Sequence, residues 1–342
     1  MFAHILLTCY LRMQKDRSIS AVYYLLQGKQ SIQTIQDAQL YDLTSFYGIY
    51  KDLSKERFYT YIHDFVDQGL LYSNDNSNDY TLTEKGTEVV VHNQLETTFL
   101  DGNSYRSYDQ IYFARLLLLI QVWTNSKKKN STYIPIIENK EIEDWVKKYY
   151  RKTRYNISEN LNLLYKELAS ILTFLPPDHP SLFISQFTSY KSIGLTKEQL
   201  AIKSGYTLED VHIITINTVH LILNKMKEYK LLFTIGKDLL PQNNLTESAK
   251  YTNHLLKKSL SLQEIARTRQ LKLNTIYDHL VEIALYDENF NLSAYVPDTY
   301  RKEILQAINV VKSYKLKEIK DNIDQNISYF QIRLVLSKLN EL

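Results

Sequence analysis

Apolar residues along this chain recur mostly at intervals of three and four, the spacing that gathers them on one face of a helix. The stretch that organises the reading is residues 259–285, SLSLQEIARTRQLKLNTIYDHLVEIAL. Leu262, Ile265 and Ala266 form one short apolar face, a turn falls around residues 269–272, and Ile276, Leu280 and Ile283 line a second helix. Asn274 or Thr275 is placed to cap that second helix, since a side-chain oxygen there accepts a first-turn N–H. Two short helices joined by a tight turn predict a helix-turn-helix, an arrangement that presents its second helix to DNA or serves as plain helical packing.

The same patterning organises the rest. Val22, Leu25 and Leu26 predict a first helix closed by Gly28, residues 31–40 a second, and residues 53–71 a third, capped by Ser54 with Phe58, Ile62, Phe65 and Val66 inward. Two short apolar runs, Leu71-Tyr72 and Tyr80-Thr81-Leu82, flank a polar tip at 73–79. Thr83 then starts a closing helix. Three helices followed by a hairpin predict a winged helix over residues 1–92. A helical middle follows, with the connector at 93–104 and helices at 108–124, 142–155, 158–172, 197–204 and 208–232. Pro176, Pro177 and Pro180 predict a non-helical turn. Residues 196–226 repeat the helix-turn-helix shape around Gly205, but the second helix (Val211, Ile213, Ile214, Ile216, Val219, Leu221, Ile222) is apolar enough to be core. Residues 298–342 repeat the plan once more, with Ile304 and Ile308, then Leu316, Ile319 and Ile323, then Ile332, Val335 and Leu336 inward, Asn326 or Ser328 capping the last helix. The expected fold is mainly α, in three parts: 1–92 winged helix, 93–238 helical middle, 239–342 tandem helix-turn-helix units.

Composition narrows the class. A hydrophobic fraction of 44% with 23% charged residues is ordinary for a folded protein. Eight Gly and six Pro over 342 residues argue against turn-rich β folds. The single Cys9 excludes a disulfide framework and a cysteine zinc cluster, and fits a reducing compartment. The N-terminal MFAHILLTCYLRM has no basic leader or clear cleavage site, and the apolar run at 111–123 contains Arg115 and Gln121. A cytoplasmic protein without a membrane anchor is expected.

Charge distribution matters more than the net +3. Residues 147–155, KKYYRKTRY, carry Lys147, Lys148, Arg151, Lys152 and Arg154 with Tyr149, Tyr150 and Tyr155 and no acid. Lysine and arginine neutralise phosphates with release of counterions, and tyrosine rings stack on unpaired bases; a solvated helix end whose cations complement the dipole has the same composition. Lys127-Lys128-Lys129 reads as a solvated loop. Residues 1–90 hold eight Lys/Arg against eleven Asp/Glu, with Asp75 and Asp79 at the polar tip. Either that unit makes a narrow nucleic-acid contact through Lys51, Lys55 and Arg57, or it binds protein. In the helix-turn-helix, Arg267, Arg269 and Lys272 flank the turn, and Asn274, Thr275 and Tyr277 are candidates for base or backbone contact. Asp278 and Glu282 are expected on the same outward face, where they repel phosphate.

Catalytic signatures are absent. Gln27-Gly28-Lys29-Gln30-Ser31 lacks the first glycine of a phosphate loop, and no dinucleotide fingerprint, nucleophile elbow or H-E-x-x-H occurs. His212 and His220 lie eight apart on one helix without a third ligand. No enzyme, metal or cofactor is expected.

Leu260-Ser-Leu-Gln-Glu-Ile-Ala, with Arg269, Leu271-Lys272, Thr275-Ile276 and His279-Leu280, resembles the helix-turn-helix domain at the C-terminus of some RecQ-type helicases. Leu316-Lys317-Glu318-Ile319 and residues 327–333 (ISYFQIR) match that domain's second half. Arg17, Tyr23, Leu26, Gly28-Lys29 and Ser31 resemble the winged helix of the same enzymes. Covering residues 15–90 and 245–342, the pattern is similar to the YpbB family of Firmicutes, whose gene neighbours a short RecQ-type helicase. The resemblance implies a detached accessory subunit that binds DNA and partners a separately encoded RecQ-type helicase in DNA repair or recombination. A glycine usual before the motif is Ser259 here, and the helicases' cysteine zinc site is missing. The alternatives are a stand-alone transcription regulator and a protein-binding scaffold without DNA contact.

Overall fold

In the computed structural model of the chain, residues 1–73, 80–92, 98–240 and 245–339 are described. Most of the polar tip, with Asp75 and Asp79, lies outside them. Nineteen α-helices are found among the described residues.

The chain begins with α1 (Phe2–Met13), unassigned from the sequence, which buries Phe2, Ile5, Leu6, Cys9, Tyr10 and Met13 on one helical face. α2 (Ile19–Gln27) ends on Gly28 at φ 70°, a left-handed conformation that glycine adopts without a Cβ clash. The Ser31 hydroxyl accepts from Thr34 N–H to start α3 (Ile32–Leu40), and Ser54 accepts from Arg57 N–H to start α4 (Lys55–Asp67). β1 (Leu71–Ser73) and β2 (Tyr80–Leu82) pair antiparallel, with Leu71 opposite Leu82. Thr83 accepts from Gly86 N–H at 3.0 Å and opens α5 (Glu84–His92). A Cβ on Gly86 would lie 2.3 Å from the Leu70 carbonyl oxygen, so glycine is what lets α5 close on the residue that leads into β1.

The middle holds α6 (Gly102–Tyr105), α7 (Asp109–Lys127), α8 (Lys140–Thr153), α9 (Ile157–Leu172), α10 (His179–Ile184), α11 (Lys197–Ser204), α12 (Leu208–Lys225) and α13 (Lys230–Gly236). Two expectations change here. Pro180 lies inside the first turn of α10, where its missing N–H has no helical acceptor to lose. The helix expected over 208–232 is broken at a 3-10 turn, Met226–Glu228, and α13 restarts because the buried Glu167 carboxylate accepts from Leu231 N–H (3.0 Å) and Leu232 N–H (3.0 Å). α12 is core as expected: Val211, Ile213, Ile214, Val219, Leu221 and Ile222 are fully buried.

The C-terminal part contains α14 (Glu247–Leu256), α15 (Leu262–Arg269), α16 (Leu273–Tyr286), α17 (Asp298–Val311), α18 (Leu316–Lys320) and α19 (Tyr329–Ser337). Ile323 lies beyond α18, in the turn after it, but is buried as expected. Ser328 caps α19 in a reciprocal box with Gln331.

These elements assemble into two compact units, Met1–Ile5 with His92–Pro241, and Leu6–Val91 with Gln242–Leu342. The first is built on a core of α7, α8, α9, α12 and α13, centred on Trp123, Tyr112, Leu116, Leu119 and Ile171. In the second, α16 packs against α3 as well as against α14, α15 and α19. Polar clasps reinforce that join: Asp16 accepts from the Ser313 hydroxyl (2.7 Å), Tyr314 N–H (2.9 Å) and the Tyr41 hydroxyl (2.7 Å), and Gln36 donates to the Arg333 carbonyl (2.8 Å). Burial works against the Asp16 carboxylate, yet these hydrogen bonds together outweigh it and hold its pKa below the usual range. Among the described residues no helix is long and apolar enough to cross a membrane.

Candidate nucleic-acid interface

The helix-turn-helix is built from α15 and α16, with α14 laid across them. Ser261 and Glu264 form a reciprocal cap on α15: the Ser261 hydroxyl accepts from Glu264 N–H, and the Glu264 carboxylate accepts from Ser261 N–H at 2.7 Å. Two left-handed residues shape the path, Ser259 at φ 62° before the motif and Gln270 at φ 53° in its turn. Ser259 therefore holds a left-handed conformation of the kind glycine adopts without a Cβ clash. α16 begins at Leu273 with Lys272 at its N-cap, so Asn274 and Thr275 fall inside the first turn and neither caps it. Its inward face buries Ile276, Leu280 and Ile283 as the spacing predicts, and also His279, Val281, Glu282 and Ala284.

The acids of α16 are not where the sequence reading put them. Glu282 is 5% exposed and accepts from Thr246 N–H (2.5 Å) and the Thr246 hydroxyl (3.0 Å), steadying the residue that caps α14. Asp278 is half-buried and paired with Arg333 of α19 at 2.7 Å. Burial raises the Asp278 pKa, with Arg333 acting in the opposite sense. Neither carboxylate stands as an unpaired charge on an outward face.

The candidate contact residues divide. Arg267, Lys272 and Asn274 are exposed and Thr275 is half-exposed, grouped around the turn. Arg269 and Tyr277 are engaged with protein groups instead. Arg269 donates to the Ser248 carbonyl (2.9 Å), the Ser248 hydroxyl (2.8 Å) and the Thr252 hydroxyl, and lies over the Tyr251 ring. It bolts α15 to α14. Tyr277 stacks on Phe330 of α19 at 4.1 Å between centroids. The His279 imidazole is buried beside this bolt, its Nδ1 2.9 Å from the Thr252 hydroxyl and 3.1 Å from Arg269. Burial first, and then the Arg269 cation, push its pKa down to about 4.

The second cationic group lies on α8, in the other unit. Asn139 caps the helix by accepting from Ile142 N–H, and Glu141 and Glu143 occupy its first turn while Arg151 and Lys152 occupy its last, the charge order the helix dipole favours. Helical spacing puts Lys147, Lys148, Arg151, Lys152 and Arg154 along one side, all exposed. Lys147 is paired with Glu143 at 2.9 Å. The opposite side is anchored: Ile142 and Val146 are buried, Trp145 stacks on Tyr149 at 5.0 Å, and the Arg115 guanidinium, paired with Asp238, lies over Trp145. Of the three tyrosines in the basic run, Tyr149 and Tyr150 are partly buried against the core, and Tyr155 is 80% exposed beside Arg154.

Lys55 and Arg57 are exposed at the first turn of α4 and Lys51 is half-exposed just before it, in the same turn region as Glu56. His212 and His220 are buried apart: His212 Nδ1 is 2.8 Å from Lys197 Nζ, and His220 accepts from Asp101 N–H at 3.0 Å and meets Asp109 at 3.3 Å. No group of three His, Cys, Asp or Glu is placed to hold a metal among the described residues.

Sequence reasoning passed over a cavity of about 530 Å³ beside α8. Lys129 and Tyr133 line it; the sequence offers Lys129 only as part of a solvated loop and gives Tyr133 no role, because the loop that carries them has no periodicity to read.

Helix, left-handed turn and packed second helix define a protein with a helix-turn-helix domain, and the sequence profile of a family described as "Helix-turn-helix domain" matches residues 248–336. The chain is also 31% identical over 342 residues to Protein YpbB of Bacillus subtilis (strain 168), covering 98% of this chain and 97% of that protein. It belongs to the YpbB family. No solved structure matches it.

Proposed function

We propose that this chain is a non-catalytic nucleic-acid-binding subunit that partners a separately encoded RecQ-type helicase in DNA repair or recombination, acting in the cytoplasm. The observation that carries the reading is the fate of the α16 acids. With Glu282 buried on Thr246 and Asp278 paired with Arg333, Arg267, Lys272 and Asn274 face solvent around the turn without an unpaired carboxylate of α16 beside them. The α8 cations supply a second surface of the kind that grips phosphate. The three helices and hairpin of residues 19–82 have the element order of a winged helix, and in this reading they serve as one, with Lys51, Lys55 and Arg57 giving a narrow contact or the face that docks the helicase. The helicase supplies the ATPase that this chain's sequence lacks.

Two measurements test this. Fluorescence anisotropy with forked and single-stranded DNA is expected to show affinity falling steeply between about 50 and 200 mM salt. Changing Lys148, Arg151, Lys152 and Arg154 to Gln together is expected to flatten the log–log salt slope by about 3, four phosphate contacts at roughly 0.7–0.9 each. Co-purification with the short RecQ-type helicase, followed by unwinding assays with and without this chain, tests the partner. A large preference for one duplex sequence over random DNA would instead identify a transcription regulator. Affinity indifferent to salt, with no helicase complex, refutes the proposal.

A further inference from the structure

The cavity beside α8 joins two basic runs that the loop between α7 and α8 separates in the sequence. Its floor is apolar, formed by Leu118 and Val122 of α7 and Val146 of α8. Tyr133 and Tyr150 wall it, and Lys129 and Lys147 stand at its edge. Lys127-Lys128-Lys129 is therefore more than a solvated loop: α7 runs through Lys127, and Lys129, at φ 55°, turns the chain along the cavity.

The loop wall is held from beneath. Gln121, 3% exposed, donates to the Ile134 carbonyl (3.0 Å) and accepts from Ile136 N–H (3.0 Å). Asn125, equally buried, accepts from the Asn130 side chain (2.7 Å), and its carbonyl accepts from Lys128 N–H and Asn130 N–H. Two buried amides thus fix residues 128–136 in place, so the cavity is formed before anything enters it. Burial, and then the neighbouring Tyr150, raise the Tyr133 pKa, in keeping with two phenols facing one space. The volume lies in the range of about 300–1,000 Å³ usual for small-ligand sites. An apolar floor, aromatic walls and a cationic edge suit a flat ring that carries a phosphate.

We infer that this cavity holds one unstacked base of a single-stranded nucleic acid, with Tyr150 and Tyr133 against the base and Lys129, Lys147 and the outer cations of α8 along the adjoining phosphates. This deepens the proposed function, since it rests on α8 meeting nucleic acid, and it names the form of nucleic acid selected. A base inside a duplex would first have to be unstacked and unpaired, a cost that a single strand does not carry, so the single strand is the form selected. Glu143, which also lines the cavity, stays paired with Lys147 and offers acceptors to a base's amino group.

The test uses the full chain and fluorescein-labelled oligo(dT), against a duplex of equal length. Tyr150→Ala is expected to weaken oligo(dT) binding by about tenfold, the loss of one base–aromatic contact, with duplex affinity and salt slope unchanged. Tyr150→Phe, which keeps the ring, is expected to bind as the unaltered chain does. Because truncating a half-buried tyrosine can disturb folding, a second measurement uses the unaltered protein: oligo(dT) carrying one 4-thiothymidine, irradiated and mapped by mass spectrometry, is expected to crosslink to peptides containing Tyr133 or Tyr150. Equal losses for single strand and duplex, or crosslinks confined to other peptides, overturn the cavity while leaving DNA binding intact. Absence of binding to either DNA overturns the proposed function and the cavity together. Thymidine monophosphate binding as tightly as the oligonucleotide would make this a free-nucleotide site and refute the inference.

Discussion

Acid is expected to loosen the helix-turn-helix through a single side chain. His279 is buried against Thr252 and Arg269, and its pKa falls from 6.5 to about 4. The unfolded chain therefore binds a proton that the folded chain refuses at intermediate pH, so the stability this neutral imidazole secures is intact above about pH 6.5 and drains away as the pH falls toward 4. At 1.36 kcal/mol per pH unit of difference, lowering the pH from about 7.5 to 4.5 removes at most about 2.5 kcal/mol. Solvent reaching the half-exposed Arg269 screens part of this, leaving roughly 1–2 kcal/mol. Over a folded body of this size that corresponds to about 2–8 °C in melting temperature. The assay compares thermal unfolding of the unaltered chain and His279→Gln at both pH values. Gln retains an acceptor and does not titrate, so the variant's melting temperature should fall several degrees less on acidification, whatever its own stability. Equal pH dependence in the two proteins would refute the reasoning, as would an NMR titration placing the His279 midpoint near 6.5.

Glu282→Gln should destabilise the C-terminal helices by about 1.5–3 kcal/mol, because it replaces a charged acceptor of two Thr246 hydrogen bonds; faster hydrogen exchange at the start of α14 is the local readout. Glu167→Gln should cost a similar amount in the other unit, with exchange rising at Leu231 and Leu232, whose N–H groups it accepts. Ser259→Gly, relieving a left-handed residue at φ 62°, should raise stability by about 0.5–1 kcal/mol in urea unfolding without altering DNA affinity.

The apolar spacing carried the helices well, since period and cap are local. Ser31, Ser54, Thr83, Thr246 and Ser328 all meet backbone N–H groups three residues on. The charged residues were harder to place. A helical wheel puts Glu282 outward and the sequence puts Arg269 beside the turn, and what engages both is α14, whose Thr246 and Ser248 lie 36 and 21 residues away. Tyr277 likewise finds its partner only when α19 arrives with Phe330. The α8 cations were legible as a run, whereas the cavity depends on Gln121 and Asn125 tying down a loop without pattern.

The packing of α3 on α16 sets an order of events during synthesis. The first ninety residues emerge from the ribosome long before α16 exists, and about 180 further residues must be made before it does. At the usual elongation rate of about 5–20 residues per second, that interval lasts roughly 10–35 s. Throughout it α3 lacks the helix that will cover it, while the intervening segment can complete its own core. The α3 segment thus waits for its partner helix while later residues are made, so a newly made chain offers that face of α3 to chaperones, proteases and aggregation.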